Sequence, residues 1–438
     1  MTKVLHMIGH SHIDPVWFWT REEGMQEVCA TLASALDRLE EYPDIHVSCT
    51  SAAFFDYVSR ARPDMMPRLR RAVEAGRLEI IGGWWVEPDC LLPCGESLIR
   101  HGLYGQRTLR RLLGVSARIG ANVDSFGHDA ALPQILRGCG MDRYVFMRPS
   151  FTRHPRAYLT RPAPHVLWES QDGSRVEALS LPAEYTCWFE HSLRENIELT
   201  LGVMQDGQEL PCFYGVGNHG GGPTKANIES VQRLRAEYPQ AELRFSTLEA
   251  AFDAARDVER PLLRGGLEYL NPGCFSVDHV FKQEHRRAEQ ALLRAERLSS
   301  MAAAAGQEQP GAEVFAALWK RLMFCQFHDT ISGTAIREAR DNAVRDMAGV
   351  TAEAEAIQQL AVQRLAAALD TRGDGHPVLL INDTDEDFEG IADVELCWFC
   401  KDPLTLVDDG ARWGISGRSR AAPCAGTTWA DAAGCSSR

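Results

Sequence analysis

Short apolar runs alternating with helical stretches over residues 1 to about 265 constrain the fold of this chain more than any other feature. Val4–Ile8 is followed by the helical pattern Gln26–Glu41. His46–Cys49 is followed by Pro67–Ala75, and that by Leu78–Ile81. Arg118–Val123, Tyr144–Met147, Val176–Leu181 and Cys212–Val216 are further strand candidates, each running into a polar or glycine-containing turn. Repeated β-then-α order implies an α/β fold with a parallel sheet or barrel. Catalytic loops belong at the carboxyl ends of such strands.

From about residue 279 the pattern changes to long helices, His279–Ala305, Ala312–Phe327 and Ala335–Leu369. In the last, Met347, Val350, Ala354, Ile357, Ala361 and Leu365 recur at three- and four-residue spacing and so share one stripe, which reads as core packing. After Gly373 an apolar segment reads as the first strand or two of a β-domain. The stretch beyond about Asp408 is rich in Gly, Ala, Arg, Ser and Cys without sustained periodicity, and we expect it to be an irregular tail of frameshifted or artificial origin.

The 438 residues, 45% apolar and 24% charged, provide for two or three domains with a large core. A net charge of −14 argues against a nucleic-acid partner, which needs a basic face, and fits a neutral or cationic substrate. The N-terminal MTKVLHMIGHSHIDP has neither the apolar region nor the cleavage site of a secretory signal, and no apolar run is long enough for a membrane span, so a cytoplasmic protein without a membrane partner is expected. Thirteen cysteines, scattered singly as at Cys29, Cys49, Cys139, Cys187 and Cys212, read as buried free thiols. The lone CxxC, Cys397 to Cys400, has no second pair and reads as strand residues.

Three segments carry chemistry. In HSHIDPVWFW, His12 and Asp14 lie two apart directly after the first strand candidate, and in extended backbone such positions project to one side. An imidazole and a carboxylate so placed suit zinc, and Trp17 with Trp19 offer an apolar wall on which sugar rings stack. In NVDSFGHD, Asp124 ends another strand candidate and Gly127 permits a sharp turn. In QFHDTISGT, His328 and Asp329 end an apolar helix. Each has a simpler reading alone: a structural His, a helix-capping Asp, an imidazolium facing a helix C-terminus. Together, two His and two Asp from distant segments make a full ligand set that neutralises a dication.

The blocks HSHIDPVW, GGWWVEPDCLLPCGES, NVDSFGHD, YGVGNHGGGPT, GCFSV and QFHDTISGT occur in the order found in glycoside hydrolase family 38, the α-mannosidases, and the chain resembles its bacterial and vacuolar-type branch over roughly residues 4 to 395. The resemblance implies a zinc-dependent retaining α-mannosidase acting on terminal α-mannosyl residues of oligosaccharides. Its zinc ligands would be His12, Asp14, Asp124 and His328, with Asp124 also the nucleophile. Trp17 and Phe126 would line the floor of the sugar subsite, Arg148 would lie near the nucleophile, and Asp329 would accept hydrogen bonds from sugar hydroxyls.

The expected architecture is a parallel (β/α)7-type barrel over residues 1–270, a three-helix bundle contributing a zinc ligand over 271–372, and the truncated start of an all-β domain over 373–438. The chain departs from the family pattern at the general acid, where the branch carries an Asp and this loop reads Asn218-His219. Asn cannot donate the proton, and His219, with an ordinary pKa near 6.5, is the substitute, with Asp278 and Asp89 as competitors. The alternatives are a mannoside-binding protein without turnover and a metal-dependent polysaccharide deacetylase. Linkage preference and oligomeric state are not legible in the sequence.

Overall fold

The computed structural model describes residues 2–152, 159, 163–217, 221–256, 258–268, 270–370, 372 and 379–389. The chain divides into two compact units, one of Met1–Glu289 with Ala316–Thr351, the other of Gln290–Phe315 with Ala352–Arg438. Asn218, His219, the CxxC pair and the irregular tail lie outside the described residues.

The larger unit is mixed α/β. Its strands are β1 (Lys3–Ser11), β2 (Val47–Cys49), β3 (Leu78–Ile80), β4 (Ile119–Asn122), β5 (Arg143–Phe146), β6 (His165–Glu169), β7 (Arg175–Ser180), β8 (Glu209–Tyr214), β9 (Ala241–Phe245) and β10 (Leu262–Arg264). One sheet runs β3-β2-β1-β8, with β9 also paired to β1, and all its pairings are parallel. The other runs β10-β6-β7-β5-β4. There β4, β5 and β7 are parallel, but β6 pairs antiparallel with β7 from His165↔Leu179 to Glu169↔Arg175. The expected all-parallel order is therefore interrupted by β6. Val176 and Ala178 on β7 share an apolar layer with Val166 and Trp168 on β6, and burying that common face favours the pairing.

No strand ladder joins the two sheets among the described residues, although Gly82 N–H, just past β3, donates to Ile119 O on β4 at 2.8 Å. They share a core. Ile8 of β1, Ile119 and Ala121 of β4, Val145 of β5, Leu179 of β7 and Phe213 of β8 meet in a single buried cluster. Side chains alternate across a strand, so Tyr144 and Phe146 point the other way, into a second cluster with Trp168 and Leu136. β1, nearly all buried, reads KVLHMIGHS, the largely apolar run of a strand covered on both faces.

The helix Arg21–Glu41 begins where Glu23 accepts the Thr20 N–H at 2.8 Å, and it buries Val28, Leu32, Ala35, Leu36 and Leu39 on one stripe. Gly24 lets its first turn press on the metal-binding candidate loop, because a Cβ there would sit 2.2 Å from Pro15 O. The long helices are His279–Ala304, Ala312–Cys325 and Arg337–Ala367. In the smaller unit, Leu298, Ala302 and Ala361 form a buried cluster, and Gln358 Nε2 donates to Ala291 O at 2.7 Å. No helix among the described residues is long and apolar enough to cross a membrane.

Candidate metal centre and active site

Of the candidate residues, His12, Asp14, Asp124 and Arg148 lie just past strand ends in the larger unit, whereas His328 and Asp329 come from its helical part. β1 ends at Ser11 and runs straight into His12 and Asp14. Trp19 Nε1 donates to Asp14 O at 2.8 Å, and Ile336 N–H to Trp17 O at 2.8 Å, so the loop is tied at both flanks. Asp124 follows β4 by two residues. Gly127 turns the chain away with φ 154°, where a Cβ would lie 2.6 Å from Leu91 Cδ1 and 2.9 Å from Leu267 O.

His328 does not end the preceding helix. That helix stops at Cys325, and His328 opens a short helix, His328–Ser332, closed by Gly333 at φ 88°. The dipole of a helix C-terminus therefore gives no account of this histidine. It is placed instead by its neighbours. Gln326 O accepts the Asp89 N–H at 3.0 Å, and Gln326 Nε2 donates to Ser97 Oγ at 3.0 Å.

One ligand atom from each of His12, Asp14, Asp124 and His328 lies within 4.8 Å of all the others. Nε2 of His12 is 2.9 Å from Asp14 Oδ1, and Nε2 of His328 is 3.7 Å from Asp14 Oδ1 and 3.8 Å from Asp124 Oδ2. The His328 Nε2 atom is buried without a hydrogen-bond partner, an orphan aimed into a cluster of carboxylate oxygens. Two imidazoles and two carboxylates fit zinc by ligand type and by charge.

The protonation balance supports that fit. Burial disfavours the charged form of His12, but Glu87 and Asp14 overcome it and push its pKa well above 6.5. His328 is likewise penalised by burial yet raised to about 9, first by Asp14. Burial opposes ionising Asp14, but His12 and His328 hold it down to about 2. Without a cation these carboxylates draw protons onto the imidazoles; a divalent ion takes the place of those protons.

Around the cluster, Arg148 donates through Nε to Asp124 Oδ1 at 2.8 Å and also through Nη2. His128 holds that arginine's backbone, its Nε2 lying 2.7 Å from Arg148 O. The Phe126 ring meets His328 edge-on at 6.0 Å, and Trp17, partly buried, stacks on exposed Phe18 at 4.1 Å. Asp329 Oδ2 is 3.9 Å from His328 Nε2, and its Oδ1 accepts from Thr334 Oγ1. Burial pushes its carboxyl up to about 6.

Of the two competitors for the acid, Asp278 is paired elsewhere, whereas Asp89 has one carboxylate oxygen engaged and its carboxyl pushed up by burial. Asp278 is held by Arg340 through bonds of 2.6 and 2.8 Å, and that pairing holds its pKa near 2, so it stays a carboxylate. Asp89 Oδ1 caps a turn by accepting the N–H groups of Leu91 and Leu92 at 2.8 Å.

Glu87 and Tyr185 were not singled out by the sequence. The Tyr185 ring sits 4.8 Å from His12, edge-on, at the end of β7. Glu87 is buried beneath the cluster, its Oε2 3.2 Å from His12 Nδ1 and its Oε1 accepting the Asp124 N–H at 2.9 Å. Glu87 lies inside the block GGWWVEPDCLLPCGES, which could have signalled it, and Tyr185 follows β7 by five residues without a motif of its own.

The Glycosyl hydrolases family 38 N-terminal domain matches residues 2–264, and the Alpha mannosidase middle domain matches 270–365. Alpha-mannosidase 2C1 of Homo sapiens is 28% identical over 372 residues, which are 83% of this chain and 35% of that protein. Alpha-mannosidase G of Dictyostelium discoideum is 28% identical over 371 residues, 83% and 33% respectively. The chain thus spans about a third of the length of these curated relatives. An alpha-mannosidase structure from Enterococcus faecalis superposes with a TM-score of 0.73 at 21% identity, covering 85% of this chain and 43% of that one. A GH57 branching enzyme from Thermococcus kodakaraensis gives 0.57 at 11% identity, covering 83% and 92%, a likeness of fold alone. With one family domain filling residues 2–264 and the next following from 270, the chain belongs to glycosyl hydrolase family 38.

Proposed function

We propose that this chain carries the site of a zinc-dependent retaining α-mannosidase that removes terminal α-mannosyl residues from oligosaccharides. The observation that carries the reading is the convergence of His12, Asp14, Asp124 and His328 with Arg148 bonded to the same Asp124 carboxylate. Residues 1–270 then form the catalytic part, read as a (β/α)7-type barrel. Residues 271–372 form a helical bundle that supplies His328, a division supported by the family-domain boundaries at 264 and 270.

His12, Asp14, Asp124 and His328 would hold the zinc, which when bound would supply a Lewis acid to the cis hydroxyls of a mannoside. Asp124 attacks the anomeric carbon and forms an ester as the glycosidic bond breaks, and water later cleaves that ester. Arg148 holds Asp124 Oδ1 and so fixes the direction from which the carboxylate approaches. Asp329 accepts from sugar hydroxyls, and Phe126 and Trp17 bound the sugar face. The proton for the departing oxygen is assigned to His219 by its position in the sequence block YGVGNHGGGPT.

Hydrolysis of an aryl α-mannoside before and after chelation, with zinc add-back, tests the reading. Loss on chelation and recovery with zinc support it; activity unmoved after verified metal removal overturns it. Mannoside binding by the zinc-loaded chain without turnover favours a binding protein instead. For the acid, His219→Ala should impair natural mannosides far more than aryl mannosides with good leaving groups, and equal loss on both removes His219 from the role.

A further inference from the structure

We propose that Glu87 is the positioning residue of the metal centre, fixing the imidazole of His12 and the backbone of Asp124 so that the ligands converge; this rests on the zinc reading above. Each histidine ring presents Nε2 to the cluster and Nδ1 away from it. For His12 the group nearest Nδ1 is Glu87 Oε2, an ion-pair contact at 3.2 Å that does not meet hydrogen-bond geometry, and for His328 it is the backbone carbonyl of Glu87, at hydrogen-bond distance, 3.1 Å. An imidazole ligates through one nitrogen only when the other carries the proton, and an acceptor at that nitrogen selects the tautomer and the ring orientation. Glu87 therefore provides the acceptor for His328 and the carboxylate that faces His12 Nδ1. Its second carboxylate oxygen, Oε1, takes the Asp124 N–H at 2.9 Å, so one residue touches three of the four candidate ligands.

Burial makes this arrangement demanding. The Glu87 carboxylate is about 1% exposed, and a charge removed from water is costly unless it is paired. The side-chain contacts at hydrogen-bond or ion-pair distance run to His12, Asp124 and, at 4.0 Å, His328. The backbone on either side cannot drift. Trp85 N–H donates to His101 O at 3.0 Å, Pro88 O accepts from Asn122 Nδ2 and Ser125 Oγ, and Asp89 N–H donates to Gln326 O.

The test uses the full chain as wild type, Glu87→Gln and Glu87→Ala, with zinc affinity measured by competition with a chromophoric chelator on protein shown folded by circular dichroism. Both variants should bind zinc about ten- to a hundredfold more weakly. Wild-type affinity in folded Glu87→Gln overturns the proposal. Selective ¹⁵N-histidine labelling of the zinc-loaded wild type gives a second readout that needs no variant at Glu87 to fold. His12, assigned by its disappearance in His12→Gln, should show a protonated Nδ1 and a metal-bound Nε2; a metal-bound or unprotonated Nδ1 overturns the proposal. Zinc binding that ignores Glu87 refutes this inference alone, whereas a wild type that binds no zinc refutes the metal reading beneath it.

Discussion

Arg148 donates through Nε to Oδ1 of Asp124 at 2.8 Å, with Asp124 mostly buried and Arg148 about a third exposed. The pair joins the end of β5 to the end of β4, which are parallel neighbours in register from Ile119↔Arg143 to Asn122↔Phe146. Replacing Arg148 with Ala should lower kcat/KM on an aryl α-mannoside by roughly a hundredfold or more, the scale of losing a charged group that orders a reacting carboxylate. Zinc stoichiometry, read by elemental analysis, should stay at the wild-type level. A parallel loss of metal would mean that the arginine holds the site together rather than aiming the nucleophile.

Removing the metal should destabilise the larger unit. A ligand that binds only the folded state adds about 2.7 kcal/mol when present at a hundred times its Kd. The melting temperature should therefore drop on chelation and return with zinc, and His328→Ala should abolish the response, because that residue is the candidate ligand from outside the strand-end loops.

Gly24 sets two effects against each other. In a helix interior, Ala is favoured over Gly by about 1 kcal/mol. At this position, however, a Cβ falls 2.2 Å from Pro15 O and 2.6 Å from Pro15 C, and backbone cannot swing aside as a side-chain end can. Overpacking of this kind costs about 1–3 kcal/mol. Gly24→Ala should thus lower the urea midpoint and weaken zinc binding through the adjoining His12–Asp14 loop; a raised midpoint would show the loop free to move.

His165 on β6 supplies a pH dependence away from the site. Burial, aided by Arg260, lowers its pKa to about 4, so the folded protein leaves it neutral where the unfolded chain, at about 6.5, protonates it. Its contribution to stability is complete above pH 6.5 and is lost as pH falls toward 4, on the order of 3 kcal/mol in all. The urea midpoint of wild type should decline across that window more steeply than that of His165→Gln, and parallel curves would contradict the assignment.

The strands β1, β2, β3, β4, β5, β7 and β8 and the three long helices were readable from apolar runs and three- to four-residue spacing, because burial on both faces or along one stripe is a local signal. β6, β9 and β10 were not. Leu262–Arg264 is three residues long, and β6 owes its antiparallel pairing to a partner that shares its buried face. The ends of the helices moved by a residue or two, and at Cys325 this mattered, since it turned His328 from the last turn of one helix into the first of another.

By itself the sequence determined which groups meet. His12 and Asp14 are bound to one side by extended backbone, and the ordered blocks around Asp124 and His328 named the remaining partners. Only the tertiary structure decided how they are held. It brings Glu87, with no distinguishing spacing of its own, under the His12 ring, and it engages Asp278 with Arg340. The reason is physical: a ligand type is a property of a residue, whereas the tautomer of an imidazole and the availability of a carboxylate depend on the neighbours that distant segments bring within about 3 Å.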